Sequence, residues 1–286
     1  MALRYQEAVF DDNMTPQILE LMATCFPRSD KFSPAYLHWL HSENPEGTPV
    51  GYHLFDDQKL VGQLIGLPQR VILRNASARV ILLTDVSIHP DQRGAGHFLD
   101  LTKRTCDMAA SRGFAAVTGV ANNSTYRGYP KIGFQDVGGL NARVSLLSNI
   151  RLDAEQAVER AEFYRDWDDR LFGWRLRNPY NPLRVIESSA HSITVDGEGP
   201  YPGLRVRAIV PRRGLAVADV PTGGRRRPAL SIGREPAGTS SFPLAVSVPE
   251  RFKPSPLRMI YLDLADRARR LDPSRVLFSF LDFDLL

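Results

Sequence analysis

The 286-residue sequence contains little cysteine and no long apolar segment. Its two cysteines, Cys25 and Cys106, form no Cys-x-x-Cys pair, so we expect neither a disulfide framework nor a zinc finger. No run of about 18 uncharged apolar residues occurs, and we therefore expect no segment that spans a membrane. Sparse cysteine is typical of a reducing compartment, and the first residues lack the apolar core of a signal peptide, so we expect a cytoplasmic protein.

The charge of the chain is only mildly basic, with a formal net charge of +4 and an isoelectric point near 9.2. Such a balance suits a nucleic acid, an anionic cofactor or an acidic substrate. Because neither zinc-finger spacing nor an aromatic RNA-binding motif is present, we expect no nucleic-acid partner. The hydrophobic fraction of 43% is large enough for a buried core, and the length suffices for two domains.

The first half of the sequence alternates between helical and extended patterns. We predict helices that begin at Thr15 and at Ser33-Pro34, where a serine cap precedes a proline. A later helix ends near Gly113, and a short one covers residues 122–132. Strands are predicted at residues 3–10, 51–56, 60–73, 79–88, 114–120, 134–137 and 144–147. This order predicts an α/β domain with a mixed sheet (α+β) over residues 1–148.

The second half, residues 149–286, is predicted to form a separate and smaller domain. Its patterns indicate a helix over residues 154–172, short strands between 185 and 248, a helix over 257–271 and a strand over 276–281. The segment from Trp39 to Asn44-Pro45 resembles the segment from Trp174 to Asn178-Pro179, and each follows a helical pattern. This similarity fits either a duplicated fold or chance.

The most informative stretch is residues 84–99, in which a strand runs into a glycine-containing turn and then into a helix. Such a turn directs several backbone N–H groups into one concavity at the positive end of a helix dipole, and its glycines let a phosphate approach closely. The stretch predicts a pyrophosphate site, although a surface turn that binds nothing has the same pattern. No Gly-Lys-Ser/Thr follows and Gly-x-Gly-x-x-Gly is absent, so nucleoside-triphosphatase and dinucleotide-binding loops are not expected.

Two motifs, in this order and at this spacing, resemble those of the GNAT superfamily of N-acetyltransferases. Residues Ile88-His-Pro-Asp-Gln-Arg93-Gly-Ala-Gly96 resemble its V-x-P-x-x-R-G-x-G motif, and Asn122 with Tyr129-Pro-Lys-Ile-Gly-Phe134 resembles its N…Y-x-x-x-G-F motif. The resemblance covers residues 3–147, and its specific part is residues 84–138. It implies a GNAT-like acyl-CoA N-acyltransferase fold over residues 1–148, followed by a degenerate or substrate-shaping GNAT-like domain over residues 149–286.

The resemblance also implies how acetyl-CoA would bind. Backbone groups of Val86 and Ile88 would hydrogen-bond the pantetheine arm and the acetyl carbonyl where two strands diverge, the turn would bind the pyrophosphate, and Asn122 would contact the thiol arm. The residues expected to bind the coenzyme are Val86, Ser87, Ile88, Gln92, Arg93, Gly94, Ala95, Gly96, His97, Phe98 and Asn122. Phe98 stands where the family usually has Gly or Ala, so its ring either packs behind the helix or reshapes the pocket.

The implied chemistry is direct attack of a neutral amine on a thioester, which needs no nucleophilic cysteine. Tyr129 would be the general acid that protonates the departing thiolate, with Tyr126 as its rival. Asp85, on the diverging strand, is the candidate general base, and its alternative role is a structural hydrogen bond. His89 and His97 are expected to be structural or solvent-facing, and no metal site is expected.

Three functions are compatible with these residues. The first is transfer of an acetyl group from acetyl-CoA to a primary amine of a small molecule, of the amino sugar or amino acid type. The second is transfer from a longer acyl or an aminoacyl donor, and the third is a non-catalytic module that binds coenzyme A or another ligand. We expect a small-molecule amine as partner and no membrane partner, and exposed strands in this fold class could pair copies of the chain into a homo-oligomer.

Overall fold

The structure, a computed structural model, describes residues 3–145, 150–218, 220, 228–242, 244–253 and 255–283. The helices of these residues are α1 (Thr15–Cys25), α2 (Pro34–His41), α3 (His97–Ser111), α4 (Ala154–Arg160) and α5 (Asp169–Leu176). Ser33 caps α2 by accepting the N–H of Tyr36, as its sequence predicts. Within the described part of the chain, no helix has the length and apolarity needed to cross a membrane.

The strands divide between two main sheets and one short pair. Those of the first half are β1 (Leu3–Glu7), β2 (Val50–Asp56), β3 (Lys59–Leu73), β4 (Ala76–Ile88), β5 (Ala116–Ala121), β6 (Gln135–Gly139) and β7 (Asn141–Ser145). Those of the second half are β8 (Arg151–Leu152), β9 (Phe163–Arg165), β10 (Arg184–Ser188), β11 (Ser192–Glu198), β12 (Arg205–Pro211), β13 (Ala229–Arg234), β14 (Ser240–Ser241), β15 (Ala245–Ser247), β16 (Arg258–Asp263) and β17 (Phe278–Ser279). The mixed α/β class expected from the sequence is confirmed.

The two main sheets have the same sequence of strand directions. The first sheet has the order β1-β2-β3-β4-β5-β16-β6, with β9 beside β3, and its β4–β5 pair is parallel while the other pairs are antiparallel. The second sheet has the order β10-β11-β12-β13-β7-β15, with β17 beside β13, and there the β12–β13 pair is parallel. Six strands therefore correspond in order. They are β2, β3, β4, β5, β16 and β6 in the first sheet and β10, β11, β12, β13, β7 and β15 in the second.

Each sheet takes one strand from the other half of the chain. Strand β16 of the second half lies between β5 and β6, and β7 of the first half lies between β13 and β15. The predicted boundary at residue 148 divides the strands along the sequence. One strand from each side of this boundary, however, belongs to the sheet that the other side forms. The proposed domains 1–148 and 149–286 are interlocked in space.

The helix predicted over residues 257–271 is wrong, because this segment contains β16. Met259, Ile260, Tyr261 and Leu262 are all buried, since both faces of the central strand are covered. A short continuous apolar run is compatible with a buried helix and with a buried strand, so its periodicity could not distinguish them. The segment forms a strand because β5 and β6 both offer it backbone hydrogen-bond partners.

Four other predicted elements also differ from the observed ones. The helix predicted over residues 154–172 is interrupted by β9, and the strand predicted over 276–281 keeps only β17 before a 3₁₀ turn, Phe280–Asp282. The helix predicted over 122–132 is a turn followed by the 3₁₀ helix Tyr129–Ile132. The strand predicted over 144–147 begins earlier, as β7, and residues 146–147 lie outside the described residues.

The two similar tryptophan segments are in direct contact. The rings of Trp39 in α2 and Trp174 in α5 stack at 4.5 Å with an interplanar angle of 13°. Each indole Nε1–H donates to the backbone oxygen of the other residue, at 3.1 Å from Trp39 and 3.0 Å from Trp174. This reciprocal contact, together with the matching sheet topologies, favours a duplicated fold over a chance similarity.

The apolar residues of β4 show how the layers are arranged. Ile81 and Leu83 pack toward α3, whereas Val80 and Leu82 pack in the core between the two sheets, as the two-residue period of a strand requires. Helices α1 and α2 cover β2 and β3 on the face opposite α3. The first sheet is therefore covered on both faces, so an opening between its strands requires two of them to separate.

Replacing Trp174 by alanine is expected to lower the free energy of unfolding by about 3–5 kcal/mol, because it removes a buried ring and leaves the backbone carbonyl of Trp39 without the indole N–H that donates to it. Urea denaturation measures the change. The matched control is Tyr201→Ala at a side chain that is 67% exposed, which is expected to change stability by less than about 0.5 kcal/mol. Equal effects of the two substitutions would contradict the structural role of the tryptophan pair.

Candidate active site

The site begins where the parallel strands β4 and β5 separate. They pair only from Val80 with Ala116 to Leu83 with Gly119. Beyond that point β4 remains paired with β3, but its register shifts, so that Thr84 lies opposite Ile65 and Ser87 opposite Gln63. The extra residue is a β-bulge that includes Asp85, whose φ of 48° is unusual for a residue other than glycine. The bulge bends β4 and leaves a gap beside β5.

A cavity of about 460 Å³ opens from this gap toward the glycine-containing turn. All of the residues expected to bind the coenzyme line it except Ala95, which lies within the same turn. The end of β4, the turn, the start of α3 and Asn122 after β5 thus surround one elongated space. We call it the donor cavity.

The turn has the backbone conformation of an anion site. Gly94 and Gly96 have φ angles of 84° and 89°, and Gly96 precedes α3 without a side-chain cap. The first N–H groups of this 15-residue helix are therefore free to bind an anion. A Cβ atom at either glycine would meet no atom within 4 Å, so the positive φ, and not crowding, requires glycine here. Arg93 Nε donates to the carbonyl of Ile88 at 3.0 Å and holds the turn against β4.

His89 and His97 have structural partners. His89 Nδ1 accepts the N–H of Asp91 at 3.3 Å and caps the short 3₁₀ helix Pro90–Gln92. His97 Nδ1 lies 2.8 Å from the hydroxyl of Tyr5, which also donates to Asp100. Burial and the hydrogen bond to Asp100 raise the pKa of Tyr5 to about 12, so this hydroxyl stays protonated. His97 is thereby fixed at the wall of the donor cavity.

Phe98 packs behind the turn on Tyr129. Their rings meet edge to face at 5.1 Å and 80°. Gly128 makes room for Phe98, because a Cβ atom there would lie 2.5 Å from the Phe98 ring. The large residue at a position that is usually small is thus compensated locally, and it also lines the donor cavity.

Tyr129 lies in an apolar surround at the end of the gap. It is 3% exposed and packs between Phe98 and Phe134, each with its ring centroid 5.1 Å away. Burial raises the pKa of Tyr129 well above its ordinary value, so the side chain stays a protonated phenol. Tyr126 accepts a hydrogen bond from Arg127 Nε at 3.4 Å and lines neither cavity of the site.

A second cavity, of about 400 Å³, lies on the other side of the gap. We call it the acceptor cavity, and both catalytic candidates, Asp85 and Tyr129, line it. Its further lining residues include Lys31 and Phe32. Residues that line both cavities are Phe26, Val86, Asn122 and Thr125. Two cavities therefore meet at the separation of β4 from β5.

Asn122 shapes the junction between the cavities. Its Oδ1 accepts the N–H groups of Ser124 at 2.9 Å and Thr125 at 3.1 Å, and also the Thr125 hydroxyl. This turn fixes the side chain directly after β5. The donors of its amide Nδ2 have no partner among the described residues, so they can bind a ligand.

Several lining residues had no sequence signal. Cys25 and Phe26 at the end of α1 line the donor cavity, and Ser255, Leu257 and Phe283 of the second half line the acceptor cavity. The Cys25 thiol donates to the carbonyl of Ile88 at 3.3 Å, and burial raises its pKa. These contacts join residues far apart in sequence, so no local pattern marks them. Among the described residues no cluster of three or more His, Cys, Asp or Glu side chains could hold a metal ion.

Residues 9–137 match the family model of the GNAT acetyltransferase domain. A probable N-acyltransferase from Enterococcus faecalis V583, titled a conserved protein of unknown function, is similar over 92% of this chain and 73% of its own, with 12% identity and a TM-score of 0.58. A GCN5-related N-acetyltransferase from Anabaena variabilis is similar over 91% of this chain and 73% of its own, with 12% identity and a TM-score of 0.57. A search of the curated proteins found no match. At these identities the structural similarities concern the fold.

The turn provides a prediction with a matched control. Gly96→Ala and Gly203→Ala both force alanine into a positive φ, 89° and 81°, with open space around the Cβ atom. Each should lower the free energy of unfolding by about 1–2 kcal/mol. Only Gly96→Ala should also weaken acetyl-CoA binding, by about tenfold or more, because it disturbs N–H groups that are expected to bind the pyrophosphate.

Thermal denaturation measures the stability change and isothermal calorimetry the dissociation constant. If both variants bind acetyl-CoA as the parent protein does, the turn does not hold the coenzyme.

Proposed function

We propose that this acyltransferase, whose residues 9–137 form a GNAT acetyltransferase domain, transfers the acetyl group of acetyl-CoA to the primary amine of a small molecule. The observation that carries the proposal is the meeting of the donor and acceptor cavities at Val86, where β4 separates from β5. A thioester entering from one side and an amine entering from the other would meet there. Such proximity lowers the entropic cost of the reaction.

Two parts of the donor cavity suit two different parts of acetyl-CoA. The uncapped start of α3 and the turn at Gly94 and Gly96 offer backbone N–H groups to the pyrophosphate. The edge of β4 at residues 86–88, beyond its pairing with β5, offers main-chain groups to the amide-rich pantetheine arm, in the manner of an added strand. Acetyl-CoA would thereby lie across the gap with its thioester near Val86.

The reaction then needs two proton transfers and one new bond. The amine nitrogen attacks the carbonyl carbon, and backbone N–H groups at residues 86–88 stabilise the oxyanion. The C–S bond breaks as the amide forms, and the thiolate takes the phenolic proton of Tyr129. Asp85 accepts the proton that the amine loses. No covalent enzyme intermediate is needed, so Cys25 is not the nucleophile.

The acceptor cavity favours an amino-acid-type amine over an amino sugar. Its walls include the apolar residues Phe32, Leu257 and Phe283, which suit the apolar side chain of an amino acid, together with polar residues such as Ser29, Thr84 and Ser255. Lys31 and Asp85 supply one cation and one anion. The cation suits the carboxylate of the acceptor, and the anion suits its amine. Residues from both halves of the chain would thus shape the acceptor.

Tyr129→Phe is expected to lower kcat about a hundredfold or more while leaving the dissociation constant of acetyl-CoA nearly unchanged, because only the proton donor is lost. A thiol-detecting assay with an amine acceptor measures kcat, and calorimetry measures binding. Tyr126→Phe is the matched control and should change kcat less than about twofold, since its hydroxyl lines neither cavity. If Tyr129→Phe keeps full activity, Tyr129 is not the general acid. Coenzyme binding without turnover of any amine would favour a non-catalytic module instead.

The acceptor class is tested with phenylalanine, its decarboxylated analogue phenethylamine and glucosamine. Phenylalanine is expected to have the highest kcat/KM. Lys31→Met should lower kcat/KM for phenylalanine about tenfold or more and leave that for phenethylamine nearly unchanged, because only the former carries the carboxylate. A preference for glucosamine, or equal effects of Lys31→Met on both amines, would overturn the amino-acid assignment.

A further inference from the structure

A row of buried polar side chains crosses the first sheet beneath α1 and α2. His53 on β2 lies opposite Gln63 on β3, which lies opposite Ser87 on β4, so the three share one face. Asp85 and His41 of α2 adjoin this row. Side-chain atoms of four of these residues are buried without a hydrogen bond: His41 Nε2, His53 Nε2, Gln63 Oε1 and Asp85 Oδ2. Each such atom costs about 1–3 kcal/mol, so their retention needs an explanation.

Two of the unbonded atoms face each other. His41 Nε2 lies 3.6 Å from Asp85 Oδ2, and the two side chains are only 3% and 4% exposed. The ring of Phe10 covers His41 at 4.3 Å. The imidazole is therefore held between an aromatic ring and the carboxylate that lines the acceptor cavity.

His41 also reaches a third cavity. This cavity, of about 330 Å³, shares no lining residue with the acceptor cavity and is lined by His41 together with the exposed residues Asp11 and Asp12. His41 and Asp85 thus form a two-residue bridge between the place where an amine would be deprotonated and a cavity bordered by solvent-exposed carboxylates.

We infer that His41 is a positioning residue behind Asp85 that relays the acceptor's proton to this third cavity. The inference rests on the proposed function. The N–H bond of the acceptor breaks and an O–H bond forms on Asp85. That proton then moves from Oδ2 to Nε2 of His41, and the proton on Nδ1 leaves to water in the third cavity. Asp85 returns to its anionic form, and proton exchange with solvent restores both the Nδ1–H tautomer of His41 and the phenolic proton that Tyr129 gave to the thiolate.

The chemistry gives a reason for a pair instead of a carboxylate alone. In model peptides a carboxyl group has a pKa of about 4 and an imidazole of about 6.5, so an imidazole retains a proton more strongly. A carboxylate that passes its proton to an imidazole is therefore a better proton acceptor toward an ammonium group near neutral pH.

The other titratable groups around His41 do not replace it. His53 on β2 is buried, and burial together with the nearby His41 lowers its pKa to about 4, so it stays neutral near pH 7. Asp11 and Asp12, on the segment before α1, line the third cavity together with His41 and can receive protons. His38, on the same helix, pairs with Glu43 at 3.4 Å on the surface. His41 is thus the imidazole that links Asp85 to the third cavity.

The first experiment needs no turnover. In ¹⁵N-histidine NMR spectra of the six histidines, Asp85→Asn should shift the ring ¹⁵N resonances of His41, because the group that faces its Nε2 changes from a carboxylate to an amide. His53 should keep its spectrum nearly unchanged. If the His41 resonances are the same in both proteins, the pair is not coupled and the inference is overturned, whatever the activity.

The second experiment measures kcat/KM from pH 5 to 9 for the parent protein, His41→Gln and His53→Gln. His41→Gln should lower kcat/KM about tenfold at pH 8, and this ratio should shrink as pH falls, because a protonated imidazole in the parent protein cannot accept another proton. His53→Gln is a buried control on the same sheet face and should give a ratio that does not change with pH. A pH-independent ratio for His41→Gln would overturn the relay, whereas absence of turnover in the parent protein would instead reject the proposed function.

Discussion

The separation of β4 from β5 after four paired residues is the constraint on which the site depends. Two parallel strands in a sheet covered on both faces would normally continue to exchange hydrogen bonds and leave no space. The bulge at Asp85 prevents this, since it bends β4 while β3 still holds its far end. Asp85, which lies in this unfavourable conformation, also lines the acceptor cavity and is the candidate general base. Local backbone strain and chemistry thus coincide at one position.

The exchange of strands between the two halves explains why the second half is needed at the site. With β16 between β5 and β6, the segment before it carries Leu257 to the acceptor cavity. The halves are also joined by ionic contacts, such as the buried ion pair of Arg165 with Glu46, in which burial lowers the pKa of the arginine. Breaking such a pair by removing one partner would leave a buried charge, which is strongly destabilising. The first half is therefore not an independent unit to which the second is merely attached.

The features that the sequence could predict each lie within one continuous stretch of the chain. The turn and the start of α3 lie within one stretch of chain, so the glycines, the helix start and most of the residues that line the donor cavity could be predicted from neighbouring positions in the sequence. Tyr129 and Asn122 come from a second such stretch. By contrast, the role of Met259 to Leu262 as a central strand depends on partners over a hundred residues away, and four apolar residues fit a helix equally well. His41 was missed for the same reason, because its proximity to Asp85 arises only when α2 packs on the sheet.

The most direct test of the account is hydrogen–deuterium exchange with and without saturating acetyl-CoA. Bound coenzyme should slow the exchange of N–H groups at residues 86–88, at residues 92–99 of the turn and helix start, and at residues 122–125 after β5. The second sheet should be nearly unaffected, because its residues do not line the donor cavity. Protection confined to the second sheet, or none at saturating acetyl-CoA, would contradict the claim that the gap between β4 and β5 receives the acyl donor.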